Sequence, residues 1–235
     1  MTRLLMLVEG QSEEIFVKTV LAPHLLRYGV FVHPPVVLWT KRLPGGGGFR
    51  GGVSTWNLIR RNLLPLMNDS GAWVTTLIDF YNLPADFPGW ANVREEAVPQ
   101  QRVVVLENCM KREFSHRRFI PFLALHEFEA WVFSRPDVVE THFGINGLAE
   151  KIRGIAEGAG GPELINQGVS THPKVRLKSL VTRYKETSDG PTVLEKTGIS
   201  AVRGACPHFH QWLCSLENTG HGVSGGLRGP SGHGL

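Results

Sequence analysis

Four acidic residues stand where apolar runs stop. Glu9 closes the run at residues 4–8, Asp79 closes 73–78, and Glu127 and Glu129 follow 119–125. Runs of this length, rich in β-branched and aromatic residues, read as buried strands, so each acid is expected at a strand tip. In open α/β sheets the crevice beyond the carboxyl ends of the strands is where ligands bind. Hard anionic oxygens gathered there suit Mg²⁺ or Mn²⁺, which keep waters and share phosphate oxygens with a substrate. Such a centre can lower the pKa of a bound water and offset charge on a phosphate in transfer. Glu9, Asp79, Glu127 and Glu129 are therefore the candidate metal ligands. Glu9, Asp79 and Glu13 are the candidate catalytic residues, with Glu9 or Glu13 as general acid or base. Any one acid also has a plainer role as a cap or ion-pair partner. That all are plain is harder to sustain, because isolated acids at successive tips are costly without a cation.

Spacing limits what the third group can do. If residues 127 and 129 were both helical they would point roughly 200° apart, so Glu127 must be extended or in a turn for both to face one ion. The stretch His126-Glu-Phe-Glu-Ala130 lacks the second histidine of a zinc HExxH helix. His126 itself reads as a ligand, as an orienting partner of Glu127, or as a structural hydrogen-bonder. Gly10-Gln-Ser-Glu-Glu14 is not a nucleophile elbow. The three cysteines, Cys109, Cys206 and Cys214, form no CxxC pair, which argues against a zinc site or a disulfide framework. Cys206 and Cys214 read as small core hydrophobes.

The elements that must position these acids follow in order. Ser12 reads as an N-cap with Glu13 and Glu14 in an acidic first turn. That helix should kink or end at Pro23 and stop by Gly29. Residues 30–38 read as a strand, at a sheet edge because of Pro34-Pro35. A glycine-rich loop through 41–52 lacks the GK[ST] ending of a phosphate loop and reads as a linker or as a basic flap carrying Lys41, Arg42 and Arg50. Ser54 should cap a helix with Trp56, Ile59, Leu63 and Leu66 on one face, and Val103, Leu106, Met110 and Phe114 mark another. Beyond Pro136 the chain looks helical and more polar, with a glycine-rich joint at 154–161. A basic helix opening at His172-Pro173 should carry Lys174, Arg176, Lys178, Arg183 and Lys185. The candidate nucleic-acid contacts are Lys174, Arg176, Arg183, Lys185, Arg42 and Arg50.

The fold class expected is α/β, with 1–135 as the core, 136–217 as a helical part packed on it, and 218–235 as a disordered tail. With 235 residues, 42% of them hydrophobic and 20% charged, the chain can bury a sizeable core. Its formal charge of +4 permits nucleic-acid contact without requiring it. The start is too short and too soon acidic for a signal peptide, and no run approaches a membrane span, so a cytoplasmic protein is expected.

The chain resembles the Toprim-like superfamily in Leu7-Val-Glu-Gly-Gln-Ser-Glu13, where a strand ends in a glutamate. Within it the chain looks most like domain-of-unknown-function family 4276. That likeness is carried by VEGQSEE, by residues 79–89, by Leu125-His-Glu-Phe-Glu-Ala130, by Tyr184 through Pro191, and by residues 203–209. The resemblance implies a mostly parallel Toprim-like central sheet, dependence on Mg²⁺ or Mn²⁺, and phosphodiester chemistry on DNA or RNA. It also implies an ATPase partner in a bacterial anti-phage system. Where the superfamily has D-x-D, this chain has Asp79-Phe80-Tyr81. Glu127 or Glu129 would then supply the missing ligand, or the site would be partial. The rival reading is a degenerate module that binds nucleic acid or an ATPase without catalysis, and a third is phosphoryl transfer on a nucleotide.

Overall fold

The strand at Thr2–Val8, β1, is the middle of the sheet: Leu4, Met6, Leu7 and Val8 are buried, and parallel partners lie on both sides of it. Burial on both faces is what a near-continuous apolar run predicts for a parallel strand. The computed structural model describes residues 1–42, 48–50, 55–81, 83–93, 99–165, 168 and 170–221, with the backbone alone at 39–42, 48–50 and 221.

From β1 the chain enters α1 (Gln11–Phe16), widens into a π-helical turn (Val17–Leu21), and continues as α2 (Ala22–Leu26). Pro23 does not end this helix, because the wider turn before it takes up the clash its ring would make with the preceding carbonyl. The helix ends at Leu26, and Gly29, at φ 75°, closes the turn that follows it. The expected strand over 30–38 is broken into β2 (Val30–Val32) and β3 (Val36–Val37), both parallel to β1. Pro34-Pro35 cannot donate to a ladder, and the break falls there.

Next, β4 (Trp39–Arg42) and β5 (Gly48–Arg50) form a separate antiparallel ribbon. Residues 43–47 and 51–54, including the expected cap Ser54 and most of the glycine-rich loop, lie outside the described residues. The cap of α3 (Trp56–Met67) is Thr55, whose hydroxyl accepts the Leu58 amide at 3.3 Å. Then come β6 (Trp73–Asp79), α4 (Trp90–Val93), α5 (Pro99–Arg112), β7 (Phe119–Ile120) and β8 (Leu123–Ala124). A 3₁₀ helix (Phe128–Ser134) leads into α6 (Pro136–Phe143), α7 (Leu148–Ala159) and a short 3₁₀ turn (Pro162–Leu164). The chain closes with α8 (Pro173–Leu180), α9 (Asp189–Thr197), α10 (Ile199–Ala205) and α11 (Pro207–His221).

Several boundaries differ from the sequence reading. Gly154 and Gly158 lie inside α7, and the joint shrinks to Gly160 and Gly161, both at positive φ. α8 stops at Leu180, so Arg183 and Lys185 sit in the turn after it. α11 continues through 218–221 of the expected tail because Glu217 and Thr219 are buried and the Thr219 carbonyl accepts the Thr2 hydroxyl at 3.0 Å. Residues 222–235 lie outside the described residues. No described helix is long and apolar enough to cross a membrane.

The fold is α/β. The main sheet runs β2–β1–β6–β7, with β3 continuing the β2 lane and β8 the β7 lane, and every pairing in it is parallel. On one face Leu4, Met6, Val8 and Leu77 pack with Phe16, Trp131, Phe209 and Trp212. On the other, Leu7, Val74 and Ile78 pack with Ile59 and Leu63 of α3 and Val103, Leu106 and Met110 of α5. The chain leaves β1 toward one edge and β6 toward the other. The tips of β1 and β6 therefore flank a topological switch point.

One polar side chain in this core bridges a gap in the ladder. Pro121 interrupts the lane beside β6, and the buried Thr76 hydroxyl both donates to the Phe122 carbonyl and accepts the Phe122 amide, each at 2.8 Å. Thr76→Val would orphan both backbone groups at nearly constant volume. The expected loss is roughly 2–4 kcal/mol, two buried groups at about 1–3 kcal/mol less relaxation, read as a shifted denaturant midpoint at unchanged m-value.

Candidate metal centre

Glu9 follows the last residue of β1, and Asp79 is the last of β6, one lane over. The Glu9 carboxylate (Oε2) accepts the Asp79 amide at 3.0 Å, while the Glu9 amide donates to the Leu77 carbonyl at 3.0 Å. The two strand tips are thus tied through the acid itself. Asp79 Oδ1 in turn accepts the Phe128 amide at 2.9 Å, which fixes the start of the 3₁₀ helix over the sheet edge.

After β8 the backbone reverses at His126, the one described non-glycine residue with positive φ, at 65°. Histidine is among the residue types that tolerate this region. The Tyr81 amide donates to the His126 carbonyl at 2.8 Å and holds the reversal. Glu127 is then extended (φ −155°, ψ 162°) and Glu129 lies in the first turn of the 3₁₀ helix. This is the conformation that the spacing argument required, and oxygens of Asp79, Glu127 and Glu129 lie within 4.8 Å of one another. His126 acts here through its backbone, turning Glu127 inward.

Glu13 comes from the first turn of α1. The helix is capped at Gly10 rather than Ser12: the Gly10 amide donates to Glu13 Oε2 at 2.8 Å. Ser12 sits inside the helix, its hydroxyl on the Glu186 carbonyl at 3.2 Å. Glu9, Glu13, Asp79 and Glu129 line a cleft of about 380 Å³ together with Lys174 and Glu186. Glu13, Glu127 and Glu129 are buried, while Glu9 and Asp79 are half-buried.

The electrostatics follow from crowding acids in a dry place. Burial and the neighbouring Glu9 charge push Glu13 up to about 7. Burial, with Glu127 and Glu13 beside it and Lys174 opposing, pushes Glu129 up to about 8. Asp79 is raised well above the ordinary range by burial and by Glu9, Glu13, Glu129 and Glu127. Glu9 is raised by burial, against the Asp79 amide and Lys174. Burial works against the Lys174 ammonium, but Glu129, Glu186, Glu127 and Asp79 outweigh it and its pKa rises. Lys174 therefore stays charged, 3.4 Å from Glu186. An all-carboxylate donor set, desolvated, mutually repelling and facing one lysine, fits a hard divalent cation.

The basic residues read from sequence do not form one surface. Lys174 joins the acids, a placement that sequence could not show because it rests on the pairing of residues 127 and 174: Glu127 accepts the Lys174 amide. Arg176 turns back onto the Thr171 carbonyl at 2.5 Å. Arg183 donates to the Phe143 carbonyl. Arg183 and Lys185 line a second cleft, about 470 Å³, with His142, Ser188 and Asp189. The turn at 185–189 separates it from the acidic cleft, which Glu186 and Thr187 line. Arg42 and Arg50 fall in the β4–β5 ribbon, where only the backbone is described. Glu186 and Thr187 fall in the stretch 184–191 that carries the resemblance, but nothing in the sequence marks a loop acid there as facing a distant strand tip. Cys206 is buried as expected, whereas Cys214 is half-exposed and accepts from Arg203 at 2.9 Å.

Fold and site together define an α/β protein whose acidic centre lies at the C-terminal edge of a parallel sheet. The chain belongs to the family described as Domain of unknown function (DUF4276), whose model matches residues 8–217. No curated protein sequence matches it. Among solved structures it is similar to the C-terminal region of the Xanthomonas campestris pv. campestris OLD protein, at 13% identity over 94% of this chain and 97% of that one, with a TM-score of 0.41. It is also similar to the C-terminal region of the Burkholderia pseudomallei OLD protein, at 15% identity over 92% of this chain and 98% of that one, with a TM-score of 0.39.

Proposed function

We propose that this chain is a Toprim-like nuclease that hydrolyses phosphodiester bonds of DNA or RNA with Mg²⁺ or Mn²⁺, working beside an ATPase partner as the sequence resemblance implies. The observation that carries the proposal is the convergence of Glu9, Glu13, Asp79, Glu129 and Lys174 on one cleft at a switch point of the sheet, with Glu127 bringing an oxygen within 4.8 Å of those of Asp79 and Glu129. Asp79, Glu127 and Glu129 would hold the cation, with Glu9 completing the set across the strand tips. A divalent cation bound there would neutralise the charge that develops on a phosphate oxygen and favour ionisation of a water. Lys174, held positive by its acidic neighbours, would pair with the phosphate. Glu13, pushed up to about 7, can hold or release a proton near neutrality and is the candidate general acid or base.

Incubation with single- and double-stranded DNA and RNA should give cleavage with Mn²⁺ or Mg²⁺ and none with EDTA, and Glu9→Gln should be inactive while folded. Full activity of Glu9→Gln would overturn the assignment of Glu9. The second cleft supplies the track for a neighbouring phosphate. The double variant Arg183→Gln/Lys185→Gln should reduce the slope of log affinity against log salt by roughly 1–2, at about 0.7–0.9 per phosphate contact, and leave cation affinity unchanged.

One feature favours the non-catalytic alternative: position 81, where the resemblance has an acid, holds a tyrosine. Nucleic-acid binding that survives EDTA, with no cleavage under any cation, would select that reading.

A further inference from the structure

Glu127 is buried against two other carboxylates, and repulsion alone would turn it away. Two donors oppose that, and both come from the segment that opens α8. One is the Lys174 backbone amide. The other is the ring of His172, whose Nδ1 lies 3.0 Å from Glu127 Oε1 and 3.2 Å from Oε2. His172 occupies the N-cap position of α8, yet its side chain makes no capping hydrogen bond to its own helix. The ring instead faces Glu127. On its flank the ring of Tyr81 stacks at 4.9 Å and 25°. Tyr81 is tied by its own amide to His126, the residue before Glu127. The contacts close a ring: Tyr81 to His172, His172 to Glu127, and Glu127 through its neighbour back to Tyr81.

We infer that His172 is the positioning residue for Glu127: its Nδ1–H holds the carboxylate toward Asp79 and Glu129 so that the three acids present oxygens to one divalent cation, and Tyr81 fixes the plane of the imidazole. The inference rests on the proposed metal centre and extends it to two residues that touch no cation. A ligand carboxylate held by an outer hydrogen bond is pre-set for binding, and loss of such a partner weakens metal affinity by about 10–100-fold.

Two substitutions separate the donor from the stack. His172→Phe keeps an aromatic face for Tyr81 and removes the donor. His172→Asn carries an N–H near the place of Nδ1 and removes the stack. Mn²⁺ affinity, measured by titration calorimetry and by the spin-resonance signal of free Mn²⁺, should fall about tenfold or more in His172→Phe. His172→Asn should recover most of it. Wild-type affinity in His172→Phe would overturn the inference, and so would a loss in His172→Asn as large as or larger than that in His172→Phe, since a purely packing role predicts the loss in His172→Asn. If the wild-type protein binds no Mn²⁺, the metal-centre reading fails separately. The metal-free crystal structure of His172→Phe then decides the positioning role: a displaced Glu127 carboxylate supports it and an unmoved one overturns it.

Discussion

Asp79→Asn should abolish divalent-cation binding and at the same time stabilise the metal-free protein. The substitution removes the carboxylate at the centre of the cluster, raised by burial and by Glu9, Glu13, Glu129 and Glu127. It retains an oxygen at the position that accepts the Phe128 amide, so the fold keeps that tie. Cleavage should fall on the order of 10³-fold, the scale of losing a preorganised electrostatic group. In EDTA at pH 8 the variant should gain roughly 1–2 kcal/mol, the usual return on relieving a site strained for function. Calorimetric titration with Mn²⁺ and paired thermal melts read both effects. A variant that binds Mn²⁺ normally and melts lower in EDTA would make Asp79 a structural residue.

The second large effect is a fall in metal-free stability as pH rises. Glu13 and Glu129 titrate at about 7 and about 8 in the folded protein, against an ordinary value of 4.5. Between those values the folded state holds protons that the unfolded chain has released. Stability therefore declines with pH. The contribution is complete below about 4.5 and is lost as pH passes through about 7 and then about 8. A tenfold difference in proton affinity between the folded and unfolded states corresponds to about 1.4 kcal/mol. Metal-free melting temperature should accordingly drop by roughly 10 °C between about pH 5 and pH 8.5. Millimolar Mg²⁺ should remove most of the drop, because a bound cation takes the place of the protons. His208, raised by Glu107 and Glu163 against its burial, adds a fall in the same direction that Mg²⁺ leaves intact. Asp137, held down to about 2 by Arg135, acts with the opposite sign but only at lower pH. A flat metal-free profile between pH 5 and 8.5 would show that the acids are not burdened as described.

Much of the site's scaffold was legible in the sequence, for a simple reason. Parallel strands buried on both faces are written as unbroken apolar runs, and a charge ends such a run visibly, as Glu9 and Asp79 do. The constraint on Glu127 was legible too, since helical geometry forbids two acids at i and i+2 from sharing an ion. What stayed hidden depends on contacts between distant segments. The Lys174 position follows from the docking of α8 on Glu127, and the lanes broken at Pro34-Pro35 and Pro121 look continuous when only hydrophobicity is read. Arg183 and Lys185 looked helical because nothing local stops α8. The helix ends at Leu180, its cap Val181 is buried, and the Tyr184 amide then closes a turn on the Val181 carbonyl.

The acids reach one another across long stretches of chain. Glu9 meets the amide of Asp79 from 70 residues away, Asp79 that of Phe128 from 49, and Glu127 that of Lys174 from 47. If contacts of such separation close only after the sheet and α8 have docked, they form on the product side of the folding barrier. Added Mg²⁺ would then leave the refolding limb of a chevron where it is and lower the unfolding limb. The cation would act as a clasp that lengthens the lifetime of the folded molecule without hastening its formation.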